Sequence, residues 1–186
     1  MHDPLTVRTL EEAREEFSKY WEPSRRTVDI SLEKARGRIL AESAEAKIAL
    51  PPFDRSVYDG FTVKAEDTFG AEEDDPITLE KTGEIFAGQK PEKKVNQGEC
   101  LGIMTGAPMP PGANAVVMIE DCSSLDDSRI EVRRAVSPEQ NVSKKGSEIE
   151  KGEKIADSGR RITPQLHGSL AAFGLRRVKV VDRPAV

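Results

Sequence analysis

The sequence predicts an α+β chain that is mainly β, and three changes of texture along its 186 residues carry that prediction. A charged segment with helical periodicity comes first. Short apolar runs punctuated by Gly and Pro fill the stretch from about 50 to 135, and a capped helix followed by a single strand comes last. Only 5% of the residues are aromatic, so the core must rest on Val, Ile, Leu and Ala, in one large domain or two small ones.

"TLEEAREEFSKYW" (9 to 21) reads as a helix, with Thr9 and Glu12 forming a capping box and Pro23 ending it. Leu10, Ala13, Phe17, Tyr20 and Trp21 fall on one stripe. "SLEKA" (31 to 35) reads as a shorter helix, capped by Ser31 and closed by Gly37. "RILAESAEAKIAL" is extended and leads into Pro51-Pro52. In "RIEVRRAV", Ile130 and Val132 alternate with Arg129, Glu131 and Arg133, the pattern of a half-buried strand. "NAVVMIE" is apolar without alternation, which predicts a central strand. "KKGSEIEKGEKIADSGRRIT" predicts short strands joined by tight turns at Gly146, Gly152 and Gly159. "TPQLHGSLAAFG" has Thr163 as cap, Pro164 in the first turn and Gly174 at the stop, with His167 as a packing residue. The strand "RRVKVVDRP" follows.

Charge and composition exclude several functions. A net charge of -5 argues against a general nucleic-acid binder, which needs a basic face for phosphates. No apolar run reaches the roughly 18 residues of a membrane span, and the acidic start lacks the apolar core of a signal peptide, so a cytoplasmic protein is expected. Cys100 and Cys122 have neither CxxC spacing nor neighbouring His, which predicts free buried thiols. The two histidines, His2 and His167, make no metal site, and "AEEDD" (71 to 75) lacks the spacing of a calcium loop and reads as a solvated turn.

Two corners carry the chemistry. "SVYDGFTV" (56 to 63) sets Asp59 before Gly60 between two strand-like segments. Asp-Gly is a favoured turn pair, so Asp59 either makes a turn or is presented by one. "GIMTGAPMPPGANAVV" (102 to 117) runs an apolar strand into Thr105-Gly106 and a loop stiffened by Pro108, Pro110 and Pro111. That predicts a rigid Thr105 with its hydroxyl free and, at Gly106, backbone N–H groups open to a ligand oxygen. "GEIFAGQ" (83 to 89) has glycines placed for a bulge or a close backbone approach. Two well-made turns and two pieces of one polar site both fit these residues.

"LPPFDRSVYDGFTV", "GEIFAGQ", "IMTGAPMPPGANAVV", "KKGSEIEKGEKI" and "LHGSLAAFGLRRVKVVDRPAV" occur in this order and together closely resemble the N-terminal region of the MoeA family. These are molybdopterin molybdenumtransferases related to the C-terminal part of gephyrin. The resemblance covers nearly the whole chain, and its core is S-x-x-D-G followed about 45 residues later by M-T-G-A-P. It implies an elongated, discontinuous α/β first domain of residues 1–49 and 136–182, a linker and dimerisation domain, with a compact β domain of 50–135 inserted in it. Residues 183–186 would begin a missing catalytic α/β domain, so the chain reads as a piece of a longer enzyme that is inactive by itself.

The resemblance further implies molybdate and adenylylated molybdopterin as substrates, Mg²⁺ as cofactor and a homodimer as the working form. Asp59 and Thr105 would be catalytic and enter the cleft from the opposite subunit. Asp59 would be a Mg²⁺ ligand or orient a water at the adenylyl phosphoanhydride, and Thr105 would bind an oxyanion. Ser56, Gly60 and Gly106 would be substrate-binding positions, the first two by shaping the turn. A dimerisation and spacing module with all its chemistry elsewhere is the alternative. Tyr58 stands where the family commonly has Met, a tolerated change between large apolar side chains. Asn114 stands where Asp or a similar polar residue is usual, so a carboxylate role there does not transfer.

Overall fold

The computed structural model describes residues 8–20 and 26–183; His2, Trp21, Pro23 and residues 184–186 of the expectations above lie outside the described residues. In chain order the elements are α1 (Leu10–Tyr20), β1 (Thr27–Ser31), β2 (Ala44–Glu45), β3 (Arg55–Ser56), β4 (Gly60–Val63), β5 (Ile77–Ile85) and β6 (Glu99–Ile103). They continue as β7 (Ala115–Met118), β8 (Cys122–Ser124), β9 (Arg129–Val132), β10 (Val142–Ser143), β11 (Lys154–Ala156), α2 (Pro164–Ala172) and β12 (Arg177–Val181). The architecture is α+β and mainly β.

The chain divides into two compact units. One is formed by the segments up to Ala44, Ala156–Ala171 and from Arg176 onward, the other by Glu45–Ile155 with Ala172–Leu175. Residues 45–49 and 136–155, expected with the discontinuous domain, fall with the β unit. The reason is packing and pairing. Val136 is buried in the β unit's core and its N–H donates to Thr68 Oγ1 at 3.0 Å. Val142 and Ser143 pair with Ser56 and Arg55, and Leu50 bridges to Ile149.

In the discontinuous unit, β1 and β12 pair antiparallel from Thr27↔Val181 to Ser31↔Arg177, and Leu32, Leu40, Ile162, Leu170, Val178 and Val180 are buried. Thr163 caps α2, its Oγ1 accepting the Leu166 N–H at 3.2 Å, and the His167 ring bonds the Leu32 carbonyl at 2.9 Å. The segment after Ser31 is a single 3-10 turn, Leu32–Lys34, which the Ser31 side chain does not cap. At α1 the capping box is present: Thr9 N–H donates to Glu12 Oε2 at 2.8 Å and Glu12 N–H to Thr9 Oγ1 at 3.2 Å. The stripe it starts, Leu10, Phe17 and Tyr20, is 63%, 60% and 82% exposed, so periodicity here marks a face that this chain does not bury.

The β unit is built on a six-stranded sheet of order β7-β4-β6-β5-β9-β8, with β5 and β6 parallel and the other pairs antiparallel. β7 is an edge strand, not the central strand that its unbroken apolar run suggested. Val117 faces one apolar cluster with Phe61, Val63 and Cys100, and Val116 faces another with Leu101, Ile103 and Ile85. Its outer side is covered by the loop at 140–141, where Val116 N–H donates to Gln140 O and Asn141 Nδ2 to Val116 O. A covered edge strand buried on both faces has the composition of a central one. β9 alternates as expected, with Ile130 and Val132 buried. Both cysteines are free, and burial pushes each thiol up to about 12. No helix among the described residues is long and apolar enough to cross a membrane.

Three glycines set the geometry around the ends of β4, β5 and β6. The register of β5 shifts between Lys81 and Glu84, a bulge at Gly83. A Cβ at Gly102 would lie 3.0 Å from Glu84 Cγ, so Glu84 folds its stem over that glycine. Gly60 sits inside β4, paired to Ile103 on one side and Met118 on the other. A Cβ there would lie 1.9 Å from the Val117 carbonyl oxygen. Gly60 is not among the residues of positive φ, so close approach, rather than a left-handed turn, requires glycine. Gly60→Ala therefore forces β4 and β7 apart. Urea unfolding should show a loss of at least about 2 kcal/mol, the cost of overpacking a tight site; an unchanged midpoint would contradict this account.

Candidate functional site

The antiparallel pairing of β4 with β6 aligns Gly60 with Ile103. The residue before β4 and the residues after β6 therefore emerge side by side, and these are Asp59 and Met104-Thr105. Their side chains meet. Thr105 N–H donates to Asp59 Oδ1 at 2.6 Å, and Thr105 Oγ1 donates to the same oxygen at 2.8 Å. Asp59 Oδ2 accepts from no described residue, and the carboxylate is exposed. The Thr105 backbone bond, then its side-chain bond, holds the Asp59 carboxyl below the usual carboxylate range. Ile119 N–H donates to the Asp59 carbonyl at 3.1 Å, fixing the backbone of the turn as well.

The other predicted residues serve this corner from within. Ser56 is buried, and its hydroxyl donates to Tyr58 O at 2.5 Å while accepting the Tyr58 N–H at 3.3 Å. That hydroxyl is consumed inside the turn and offers nothing to a substrate. Gly106 has φ +79° and its N–H donates to Ser56 O at 2.9 Å; Ala107 N–H donates to Met104 O at 2.9 Å. The expected row of open N–H donors is therefore absent from the Thr105 corner, because each donor has an internal acceptor. The expected free hydroxyl of Thr105 is likewise taken, by Asp59. What faces solvent is a carboxylate oxygen, not an oxyanion cradle. Asn114 has a structural place: its Oδ1 accepts the Ala65 N–H at 2.7 Å.

Sequence reasoning missed two contributors. Asp54 lies within the "LPPFDRSVYDGFTV" stretch, with nothing in its spacing to mark it. Its carbonyl accepts the Met109 N–H at 2.9 Å, and its carboxylate accepts the Lys145 N–H at 2.8 Å and Lys144 Nζ at 3.3 Å. It ties the Asp59 loop to both the proline-rich loop and the segment after β10. The Lys145 backbone bond keeps its carboxyl below the usual range. The second is a groove of about 300 Å³ beside Asp59, lined also by Lys81, Glu84, Phe86, Met104 and Ile119. The bulge at Gly83 brings Glu84 there, and the two-residue spacing of a plain strand does not announce it. A larger hollow of about 570 Å³, lined by Gln89, Lys90, Pro91, Glu92 and Lys93, shares Glu84 but includes neither Asp59 nor Thr105.

As a metal centre the site is incomplete. No group of three or more His, Cys, Asp or Glu among the described residues could hold an ion. Asp59 Oδ2 fits the single-carboxylate attachment usual for Mg²⁺, which keeps waters and takes substrate phosphates as its other ligands.

Comparison with known proteins agrees with this layout. The family model described as the MoeA N-terminal region (domain I and II) matches residues 8–174. The molybdopterin molybdenumtransferase of Bacillus subtilis is 39% identical over 160 residues, which cover 84% of this chain and 37% of that protein. Its Staphylococcus aureus counterpart is 38% identical over 159 residues, covering 86% and 38%. Two crystal structures of the molybdopterin biosynthesis MoeA protein from Pyrococcus horikoshii match with TM-scores of 0.88 and 0.83 at 37% and 36% identity. They share 96% and 94% of this chain, and 45% and 46% of their own. The chain thus spans less than half the length of the relatives it matches. By sequence and by fold, this chain belongs to the MoeA family and corresponds to that family's N-terminal region.

Proposed function

We propose that this chain is the N-terminal part of a molybdenum insertase, in which molybdate is ligated to the dithiolene of adenylylated molybdopterin. Asp59 is its contribution to the chemistry, delivered to an active cleft completed by the α/β domain of a second subunit in a homodimer. The observation that carries this reading is the anchoring of Asp59 Oδ1 by both Thr105 donors while Oδ2 is left to solvent. In a simple Asx turn the Asp carboxylate would accept from a backbone N–H of its own turn. This one is held by a loop about 45 residues away.

The electrostatics narrow the role. A carboxyl held below its usual range is ionised at neutral pH and is a poor proton acceptor, since a general base works best with a pKa near the working pH. Asp59 therefore acts as a ligand and orienting acceptor: its Oδ2 holds Mg²⁺ directly or through water, or fixes a water by accepting its proton in a hydrogen bond. Bound Mg²⁺ would supply charge neutralisation at the adenylyl phosphates. Thr105 acts through Asp59 and is a positioning residue. Its hydroxyl and N–H are committed to Asp59, so those donors do not bind an oxyanion directly.

Three outcomes test this. Asp59→Asn keeps an Oδ1 acceptor for both Thr105 donors and changes only the outward atom. In the full-length enzyme it should leave folding and dimer content intact and lower the molybdenum insertion rate by about 10² or more. Unchanged insertion would leave only a scaffolding role. Thr105→Val removes one of the two bonds that depress the Asp59 pKa, so an NMR titration of the Asp59 carboxyl should show it shifted upward. The sign follows from the depressed folded value. The stability that Asp59 contributes is present above the unfolded carboxylate pKa and is lost as pH falls through the folded one, and in Thr105→Val that contribution is smaller and its loss is complete at a higher pH. An unshifted titration would mean the bond is not made in solution. The 186-residue chain alone should not turn over adenylylated molybdopterin and molybdate; measurable turnover would place the whole site within it.

A further inference from the structure

The groove beside Asp59 holds chemistry that a metal-binding carboxylate leaves unused. Phe86, Met104 and Ile119 line it while remaining 39%, 49% and 54% exposed. Single exposed apolar side chains are ordinary on protein surfaces, but three around one concave space of about 300 Å³ make an apolar slot. Gly60 and Gly102 also line it, the second beneath the Glu84 stem. The slot contains a second carboxylate. Glu84 Oε1 is bonded to Lys81 Nζ at 2.5 Å, Oε2 accepts from no described residue, and the Glu84 side chain is 49% exposed. Its stem is fixed over Gly102 by the β5 bulge, so the carboxylate is directed by the fold and not left to wander.

Flat apolar walls with one oriented carboxylate suit a planar heterocycle whose edge carries adjacent N–H donors. Aromatic faces pack against Phe and Met, and a carboxylate with up to four lone-pair sites accepts two neighbouring N–H groups even while one oxygen is shared with a lysine. A pterin has this edge: its ring N3–H and 2-amino group lie side by side next to the 4-oxo group. Adenine lacks the pair. Charge-assisted bonds of this kind are about twice as strong as neutral ones, which makes the carboxylate the selective element and the apolar walls the general one. We propose that this groove seats the pterin ring of molybdopterin, with Glu84 accepting from the 2-amino-pyrimidinone edge. The inference rests on the reading that the substrate is a molybdopterin. It adds that the β unit recognises the ring itself, beside the Asp59 that handles the phosphate and metal end.

The test is a ¹⁵N chemical-shift titration of the 186-residue chain with 6-hydroxymethylpterin, with lumazine (2-oxo in place of 2-amino) and with guanosine, which shares the amino-oxo edge on a purine. The pterin should shift amides at 84–86, 102–104 and 119 and bind at least about fivefold tighter than lumazine, and guanosine, which keeps the edge, should also bind tighter than lumazine. Glu84→Gln keeps the side chain's shape and should weaken pterin binding about tenfold, a loss of one charge-assisted bond, while removing the preference over lumazine. Phe86→Ala should weaken all three ligands alike. Absence of shifts at the solubility limit, shifts elsewhere on the chain, equal affinity for lumazine, or an undiminished preference in Glu84→Gln would each overturn the proposal. Because free 6-hydroxymethylpterin carries no phosphate and no metal, this titration is independent of the Asp59→Asn insertion assay, and either reading can fail alone.

Discussion

The site rests on a convergence of two donors on one oxygen. Thr105 N–H and Thr105 Oγ1 both bond Asp59 Oδ1, and neither bond exists unless the ends of β4 and β6 are in register. On its other side β4 lies so close to β7 that position 60 has no room for a Cβ, and the Ile119 N–H holds the Asp59 carbonyl from that side. Exposed hydrogen bonds are individually worth little. Their value here is directional: they fix which carboxylate oxygen faces inward and which faces out.

Around this pair the donors of the Gly106, Ser56, Met109 and Lys145 positions are satisfied internally. Gly106 N–H goes to Ser56 O, Ser56 Oγ to Tyr58 O, Met109 N–H to Asp54 O, and Lys145 N–H to the Asp54 carboxylate. The loop bearing Asp59 is therefore held from two sides by segments distant in sequence, and no buried side-chain N or O is left without a partner among the described residues. Rigidity of this kind reduces the reorganisation a site must undergo when it meets a charged ligand. It also removes backbone amides from the inventory of possible anion contacts, which is why the corner presents negative charge and favours a cation or a donor-rich ligand. Glu84 repeats the arrangement in the adjoining groove, one oxygen anchored by Lys81 and the other open.

Several features could be read directly from the residue order. The capping box at Thr9 and Glu12, the Thr163 cap, the alternation of β9 and the glycine bulge in β5 are local, and local sterics or short-range hydrogen bonds decide them. The pairing of the Asp59 and Thr105 corners was an inference from two stiff turns. Other features depended on what packs against them. β7 reads as central because both its faces are apolar, yet it lies at a sheet edge that residues 140–141 cover. Leu10, Phe17 and Tyr20 have the spacing of a buried stripe but remain exposed.

By itself the sequence determined the two α-helices, the alternation of β9, much of the punctuation and the family, because those follow from period, cap and motif. It also placed a carboxylate and a hydroxyl on turns. Only the tertiary structure decided that Thr105 donates to Asp59 instead of facing a ligand, that Gly106 has no open N–H, and that Asp54 and Glu84 belong beside the site. The physical reason is that a donor's partner is set by which strands come into register. Register is a property of the folded sheet, not of any segment read alone.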